Sequence, residues 1–322
     1  MAQFLVGISD SPFPTQDPFY EVLKQIDCEV EFADLTNRET FLDLCGRVDG
    51  MIVTYAEINA AVMERLTRCR ILARTGVAVN NIDVKEATRR KIYVTNVVTP
   101  QVMDVANHAM TLLLACAKKI VMLDRDVRKG IWNFKSAVPV YKLTQRVLGL
   151  AGFGNIAREV ALRAKPFGLQ VIAYDPYVPA EVFQQFGVRQ ASFDELLETS
   201  DYLSIHLPLT DDTKALFNRE AFGKMKSTAY LINTARGGVI DEPALVEALD
   251  RQQIAGAGLD VLSTEFPGEH HPLYRFSNVV ITPHSAYYSV ECVEDLQRSA
   301  AGEVVRALSG QRPVSVVNRE LL

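Results

Sequence analysis

Three residues at the ends of apolar, β-branched runs carry complementary chemistry: Arg236 after "LINTA", Glu265 beyond "GAGL", and His284 after "NVVIT". Ligands of open parallel α/β sheets gather beyond the carboxyl ends of the strands, so polar side chains at those ends are candidates for one site. An arginine presents a fork of donors that binds a carboxylate and polarises a carbonyl. An imidazole gives and takes a proton near neutral pH, and a carboxylate beside it orients the ring and favours the protonated form. A 2-oxo acid undergoing reduction needs such a cation and such a proton donor. It also needs a hydride at carbon, which side chains do not supply and a nicotinamide does.

Plainer readings stand beside this one. "TARGG" can be a strand-to-turn link whose arginine caps a helix end, and "DVLSTE" can be a solvated loop. His206, in "SIHLP", also ends a strand and rivals His284. His108 falls on the apolar face of a long helix and reads as core, whereas His270 and His271, in the polar turn "PGEHHP", read as surface. Asp260, directly after "GAGL", is a further acid at a strand end.

The most specific local signal is "VLGLAGFGNIAREVALRAKPFGLQVIAYDP", residues 147–176. An apolar strand leads into Gly152, Gly154 and Ala157 at G-x-G-x-x-G/A spacing, then a helix, a second strand and Asp175 at its end. The first glycine makes the tight turn, the second lets backbone approach a pyrophosphate, and the small third residue lets helix pack on sheet. The helix start supplies N–H groups for the phosphates. Asp175 is placed to accept from adenosine ribose hydroxyls, and its charge would repel a 2′-phosphate, which favours NAD over NADP.

Positioning these residues requires a particular scaffold. Short apolar runs alternate with segments of helical period: "FLVGIS", "CEVEFADL", "GMIVTY", "RILARTGV" and "IYVTNVV" in the first hundred residues, then "RVLGLAGF", "QVIAYD", "YLSIHLP", "AYLINTA", "AGAGLDVL" and "NVVITPH". That alternation predicts parallel sheets covered by helices. Between the sets, "TPQVMDVANHAMTLLLACAKKI" predicts one long helix bridging the two units, with Thr99 as N-cap and Pro100 in the first turn. "VECVEDLQRSAAGEVVRALSG" predicts a last helix ended by Gly310. That segment can return to the first unit, which would make the first domain discontinuous and the second an insertion.

Composition sets further bounds. With 322 residues, 48% of them hydrophobic, the chain is long enough for two domains. The net charge of −5 is spread without a like-charge block and the basic residues do not cluster, which argues against a nucleic-acid surface and for a small-molecule partner. "HAMTLLLACA" is interrupted by Lys118 and Lys119 before it is long enough to span a bilayer, and "MAQFLVGISD" lacks the features of a signal peptide. Five scattered cysteines without a C-x-x-C pair read as reduced thiols, with no metal site and a cytoplasmic location.

Taken together, "RTGVAVNNID", "GFGNIA…YDP", "LINTARGGVIDEPAL" and "GAGLDVLSTE…TPH" give the chain a resemblance along its length to the D-isomer-specific 2-hydroxyacid dehydrogenases. Within them it looks most similar to the C-terminal binding protein branch, with Tyr287 where that branch usually has tryptophan. The resemblance implies two α/β domains of Rossmann and flavodoxin-like type. The NAD-binding domain (100–286) would be inserted into a substrate-binding domain (1–99 and 287–322), with opening and closing between them. It implies Arg236, Glu265 and His284 as catalytic residues. For NAD it implies Gly152, Phe153, Gly154, Asn155, Ile156, Asp175, His206, Leu207, Pro208, Thr213, Thr234, Ala235, Asp260 and Ala286.

The same resemblance places the substrate at Tyr55, Ala56, Tyr287 and the backbone amides of Gly76, Val77 and Ala78, and implies a homodimer built through the long helix and adjoining loop. The chain departs from the family at Ala78, usually glycine, and at Asn80, usually aspartate. "TYAE" (54–57) lacks the basic residue of phosphoglycerate-type members, which disfavours a phosphorylated substrate. The expected activity is NADH-dependent reduction of a small 2-oxo acid to its D-2-hydroxy acid; the alternative is an NAD(H)-gated scaffold of corepressor type with weak dehydrogenase activity.

Overall fold

The computed structural model describes residues 2–98 and 100–322; Thr99, the expected cap of the long helix, lies outside the described residues. The chain divides into two units, one made of the residues up to Gln101 together with Ser289–Leu322, the other of Val102–Tyr288.

The first unit runs β1 (Phe4–Ile8), α1 (Asp17–Leu23), β2 (Cys28–Phe32), α2 (Arg38–Arg47), β3 (Gly50–Val53), α3 (Ala60–Met63), β4 (Ile71–Arg74), α4 (Val84–Arg89) and β5 (Tyr93–Thr95). Its five strands are parallel in the order β2-β1-β3-β4-β5 and coincide with the five apolar runs of the first hundred residues. β3 is buried at every residue because helices cover both faces, so it reads as a continuous apolar run rather than an alternation. Asn37, Asn59 and Asp83 start α2, α3 and α4 by accepting first-turn N–H groups on their side chains.

The second unit begins with α5 (Val102–Lys118) and α6 (Ile120–Arg128). The long helix expected over residues 99–120 is α5, and Lys119 ends it: a left-handed conformation there (φ 52°) breaks the hydrogen-bond ladder, and α6, which was not expected, leaves at 61°. Among the described residues no single helix is long and apolar enough to cross a membrane. There follow β6 (Val147–Ala151), α7 (Asn155–Ala164), β7 (Gln170–Tyr174), α8 (Ala180–Gln185), β8 (Arg189–Gln190), α9 (Phe193–Thr199), β9 (Tyr202–Ile205), α10 (Arg219–Lys224), β10 (Tyr230–Asn233), α11 (Glu242–Asp250), β11 (Gly256–Leu259) and β12 (Val279–Ile281).

These strands form one parallel sheet in the order β12-β11-β10-β9-β6-β7-β8. The winding reverses between β6 and β9, where a ligand crevice opens in doubly wound folds. Leu113 of α5, Val160 of α7, Phe153 and Phe183 fill the core on one face, and Phe217, Phe222 and Leu245 fill it on the other. The edge strand β8 has two exposed residues, so it carries no apolar pattern that sequence reading detects.

The last helix, α12 (Val290–Leu308), belongs to the first unit. Ser289 caps it by accepting the Cys292 N–H, and Gly310, at φ 74°, stands just beyond its end. Gln297 ties it to that unit by donating through Nε2 to the Thr15 carbonyl (2.8 Å). All five cysteines are free thiols, four of them buried; burial pushes Cys69 and Cys116 up to about 12.

Candidate active site

At the reversal of the large sheet, the turn after β6 and the turn after β9 are pinned together. The His206 N–H donates to the Ala151 carbonyl (2.7 Å), and a Cβ added to Gly152, which sits at φ +93°, would lie 2.7 Å from the His206 carbonyl oxygen. Any side chain at 152 therefore meets both strain and backbone. At Gly154 a Cβ would find nothing within 4 Å, so the main chain there is open to a ligand. Gly154 leads into α7 without a side-chain cap, which leaves first-turn N–H groups available to an anion. Ala157 is buried against the sheet, with Asn155 exposed and Ile156 half-buried beside it.

Asp175, at the end of β7, is engaged by main-chain donors. Its Oδ2 accepts the Phe153 N–H (2.9 Å) and its Oδ1 the Tyr177 N–H (3.0 Å), so it also fixes the glycine turn. The Phe153 side chain is buried and stacks on Phe183 at 4.6 Å, leaving that residue's main chain alone near the turn. Beyond β9, Leu207 is buried and the Pro208 carbonyl accepts from Thr213 Oγ1 (2.6 Å), which closes the loop. His206 Nε2 lies 2.9 Å from Ser204 Oγ, and burial lowers its pKa to about 4. That shift favours the neutral imidazole.

Beyond β10, Thr234 Oγ1 is buried without a hydrogen-bond partner among the described residues, and Asn233 Oδ1 holds the Ala235 N–H (2.9 Å). An open glycine turn, an uncapped helix start, an acid at the next strand end and an orphaned hydroxyl fit a bound dinucleotide.

Three strand ends further along the sheet bring the chemical groups together. His284 Nδ1 is 2.5 Å from Glu265 Oε1, and Nε2 has no partner among the described residues. Glu265 thereby fixes one ring nitrogen and leaves the other open. The Tyr287 ring stands edge-on to the imidazole, centroids 6.4 Å apart. Arg236 is half-buried; burial lowers its pKa from the usual arginine range and the charge of Glu265 opposes that shift. Its Nη1 donates to the Ala235 carbonyl (2.5 Å).

Asp260 has a wholly buried side chain whose two oxygens accept the Ser285 and Ala286 N–H groups (2.9 Å each), and its own carbonyl accepts the His284 N–H (2.8 Å). His284 itself sits at φ +50°, a conformation that non-glycine residues avoid and that needs surrounding support.

Several residues that build this site were missed or misread from sequence. His271 is not a surface residue: its side chain is 10% exposed and its Nε2 pairs with Glu242 Oε1 (2.9 Å). The other Glu242 oxygen accepts the Ser263 N–H (3.0 Å), which pins the loop carrying Glu265 to the start of α11. His108 is not simply core, since its Nε2 reaches Thr282 Oγ1 (2.9 Å). Residues 108 and 282 are too distant in sequence for any spacing rule to link them.

The residues expected at the substrate in the first unit form their own local arrangement. Asp10 accepts the N–H groups of Thr54 and Ala56 on Oδ1 (3.1 and 3.2 Å) and that of Tyr55 on Oδ2 (2.6 Å). Ala56 is buried, whereas Tyr55 is 45% exposed. The N–H groups of Gly76, Val77 and Ala78, just beyond β4, have no hydrogen-bond partner among the described residues.

Fold and site define a dinucleotide-binding α/β protein with arginine, glutamate and histidine at neighbouring strand ends. The family model for the NAD-binding domain of D-isomer specific 2-hydroxyacid dehydrogenases matches residues 110–286, and the chain belongs to that family, with NAD as its cofactor. It is 40% identical over 270 residues to a glyoxylate reductase of Korarchaeum cryptofilum, covering 82% of this chain and 81% of that one. It is 34% identical over 306 residues to a D-3-phosphoglycerate dehydrogenase of Archaeoglobus fulgidus, 95% of this chain but 58% of the relative, so it spans little more than half that protein's length. Among solved structures it is similar to D-lactate dehydrogenase from Aquifex aeolicus complexed with NAD and lactic acid, at a TM-score of 0.84 and 28% identity, covering 95% of this chain and 96% of that one.

Proposed function

We propose that the chain reduces a small 2-oxo acid to its D-2-hydroxy acid, reversibly, with NADH. The observation that carries this reading is the 2.5 Å pairing of His284 Nδ1 with Glu265, which leaves Nε2 for a substrate oxygen, in the same unit as Arg236 and the nucleotide turn. The cofactor is held by Gly152, Gly154 and the first turn of α7 at the pyrophosphate and by Asp175 at the ribose. Thr234, Ala235, Asp260, Ala286 and the 206–213 loop border the rest. When bound, nicotinamide supplies the hydride that the carbonyl carbon receives.

Arg236 binds the substrate carboxylate and draws charge onto the carbonyl oxygen, which accumulates negative charge as the carbon is reduced. His284 gives that oxygen its Nε2 proton, and Glu265 stabilises the imidazolium beforehand and holds the ring in plane. Tyr287, edge-on to the imidazole, bounds the substrate side chain. Asp10 beneath the 54–56 turn and Glu57 beside it make that segment acidic, which supports an unphosphorylated substrate.

A run of exposed apolar side chains, among them Ile120, Val127, Trp132, Phe134 and Val138, supports a homodimer that covers this segment of the second unit. The free thiols suit a reducing cytoplasm.

The test is NADH oxidation with glyoxylate, pyruvate, hydroxypyruvate and longer 2-oxo acids, followed by chiral separation of the products. D-hydroxy acids are expected. Redox-dependent oligomerisation without turnover on any of them would replace this reading with that of an NAD(H)-gated binding protein.

A further inference from the structure

Behind the loop that carries His284, a chain of hydrogen bonds runs into the middle of α5. Asp260 Oδ1 accepts from Thr282 Oγ1 at 2.5 Å as well as from the Ser285 N–H, and Oδ2 accepts the Ala286 N–H. Thr282 Oγ1 in turn lies 2.9 Å from His108 Nε2, and that nitrogen is 3.5 Å from Asp260 Oδ1. The direction of the chain follows from donor counts. An ionised carboxylate can only accept, so the single hydroxyl hydrogen of Thr282 points at Asp260, and His108 Nε2 must be the donor to Thr282. The one Nε2 hydrogen is used on Thr282, with the carboxylate oxygen 3.5 Å away, so His108 acts on Asp260 through the Thr282 hydroxyl.

We infer that His108 is a positioning residue for His284. It orients the Thr282 hydroxyl, Thr282 fixes the Asp260 carboxylate, and Asp260 keeps residues 284–286 in the left-handed turn that sets the imidazole against Glu265. His108 touches no reacting atom in this account. The inference rests on the reading of His284 as the acid/base, and it gives a role to the histidine that lies between the buried Ala106 and Ala109 of α5. Losing Thr282 leaves a buried carboxylate one donor short, and losing His108 leaves the Thr282 hydroxyl without the donor that orients it; either frees the strained turn to relax, and a shift of the imidazole by a fraction of an ångström is enough to slow proton transfer.

The test compares His108→Leu, His108→Gln and Thr282→Val in the full chain. Leucine removes the donor, glutamine returns an N–H near the same place, and valine removes the link without touching α5. His108→Leu and Thr282→Val are expected to lower kcat on the order of 10–100-fold while KM for the oxo acid changes little, and His108→Gln to recover most of the loss. Hydrogen-exchange mass spectrometry of the protein without cofactor reads the loop directly. Peptides spanning 282–288 are expected to exchange about tenfold faster in His108→Leu, with glutamine restoring protection.

The same substitution is made in a His284→Ala background, where no further loss is expected. Wild-type kcat and loop protection in His108→Leu, a loss that glutamine does not restore, or an equal further loss without His284 would overturn the inference. If His108→Leu does not fold, Thr282→Val decides by the same criteria. A fully active His284→Ala chain would instead fail the reading of His284, a result visible before His108 is touched.

Discussion

Gly237 and Leu262 meet backbone against backbone: a Cβ on Gly237 would lie 1.9 Å from the Leu262 carbonyl oxygen. This contact brings the turn after β10, with Arg236, up to the loop after β11, with Glu265. Gly237→Ala must push the two apart. The expected outcome is a loss of about 1–3 kcal/mol in stability by urea denaturation, and a larger proportional loss in kcat/KM, on the order of 100-fold, because the displaced groups are those proposed to bind and orient in the reaction.

Arg236→Lys keeps the charge but removes the planar fork that matches a carboxylate and a carbonyl together. A fall in kcat/KM on the order of 10²–10³-fold is expected, with NADH affinity by fluorescence titration unchanged. A variant as active as the parent would show that a point charge suffices and that the fork is not used.

Asp175 anchors the glycine turn and is proposed to bind the ribose, so its replacement separates the two poorly unless cofactors are compared. Asp175→Ala removes the ribose acceptor and the anchor of the Phe153 N–H, and NADH affinity is expected to drop roughly tenfold. The charge that repels a 2′-phosphate is also gone, so the ratio of NADH to NADPH affinity narrows. Equal discrimination in variant and parent would assign NAD preference to some other residue.

His206 makes stability depend on acid. Its folded pKa is about 4, whereas an unfolded histidine titrates at about 6.5. Between those values the unfolded chain binds a proton that the folded chain refuses, so stability falls as pH drops through that window, and the contribution is fully present only above it. His206→Asn is expected to flatten this part of the profile. Urea midpoints at pH 7 and pH 4.5 check it, and identical acid sensitivity in both proteins would contradict the assignment.

What sequence made legible, and what it did not, follows from the range of each interaction. Strands buried on both faces announced themselves as apolar runs, and the nucleotide turn was visible because its glycines, helix and acid lie within 30 residues of one another. The break at Lys119 was hidden, since the residue types on either side favour helix and only a backbone angle ends it. Two-residue β8 has too little pattern to detect. The supports of the catalytic loop were hidden for a different reason: His108 with Thr282, and Glu242 with His271, are pairs that only the folded sheet brings together. The position of His284 at a strand end was legible, whereas its left-handed backbone and the Asp260 cradle became apparent only in the fold.

The central claim is that His284 moves the proton and Arg236 holds the substrate. Steady-state NADH oxidation by His284→Ala and Arg236→Ala, on whichever 2-oxo acid the parent reduces fastest, tests it most directly. Losses on the order of 10²–10⁴-fold in kcat/KM are predicted for each, with NADH still bound. Turnover intact in both variants would contradict the account.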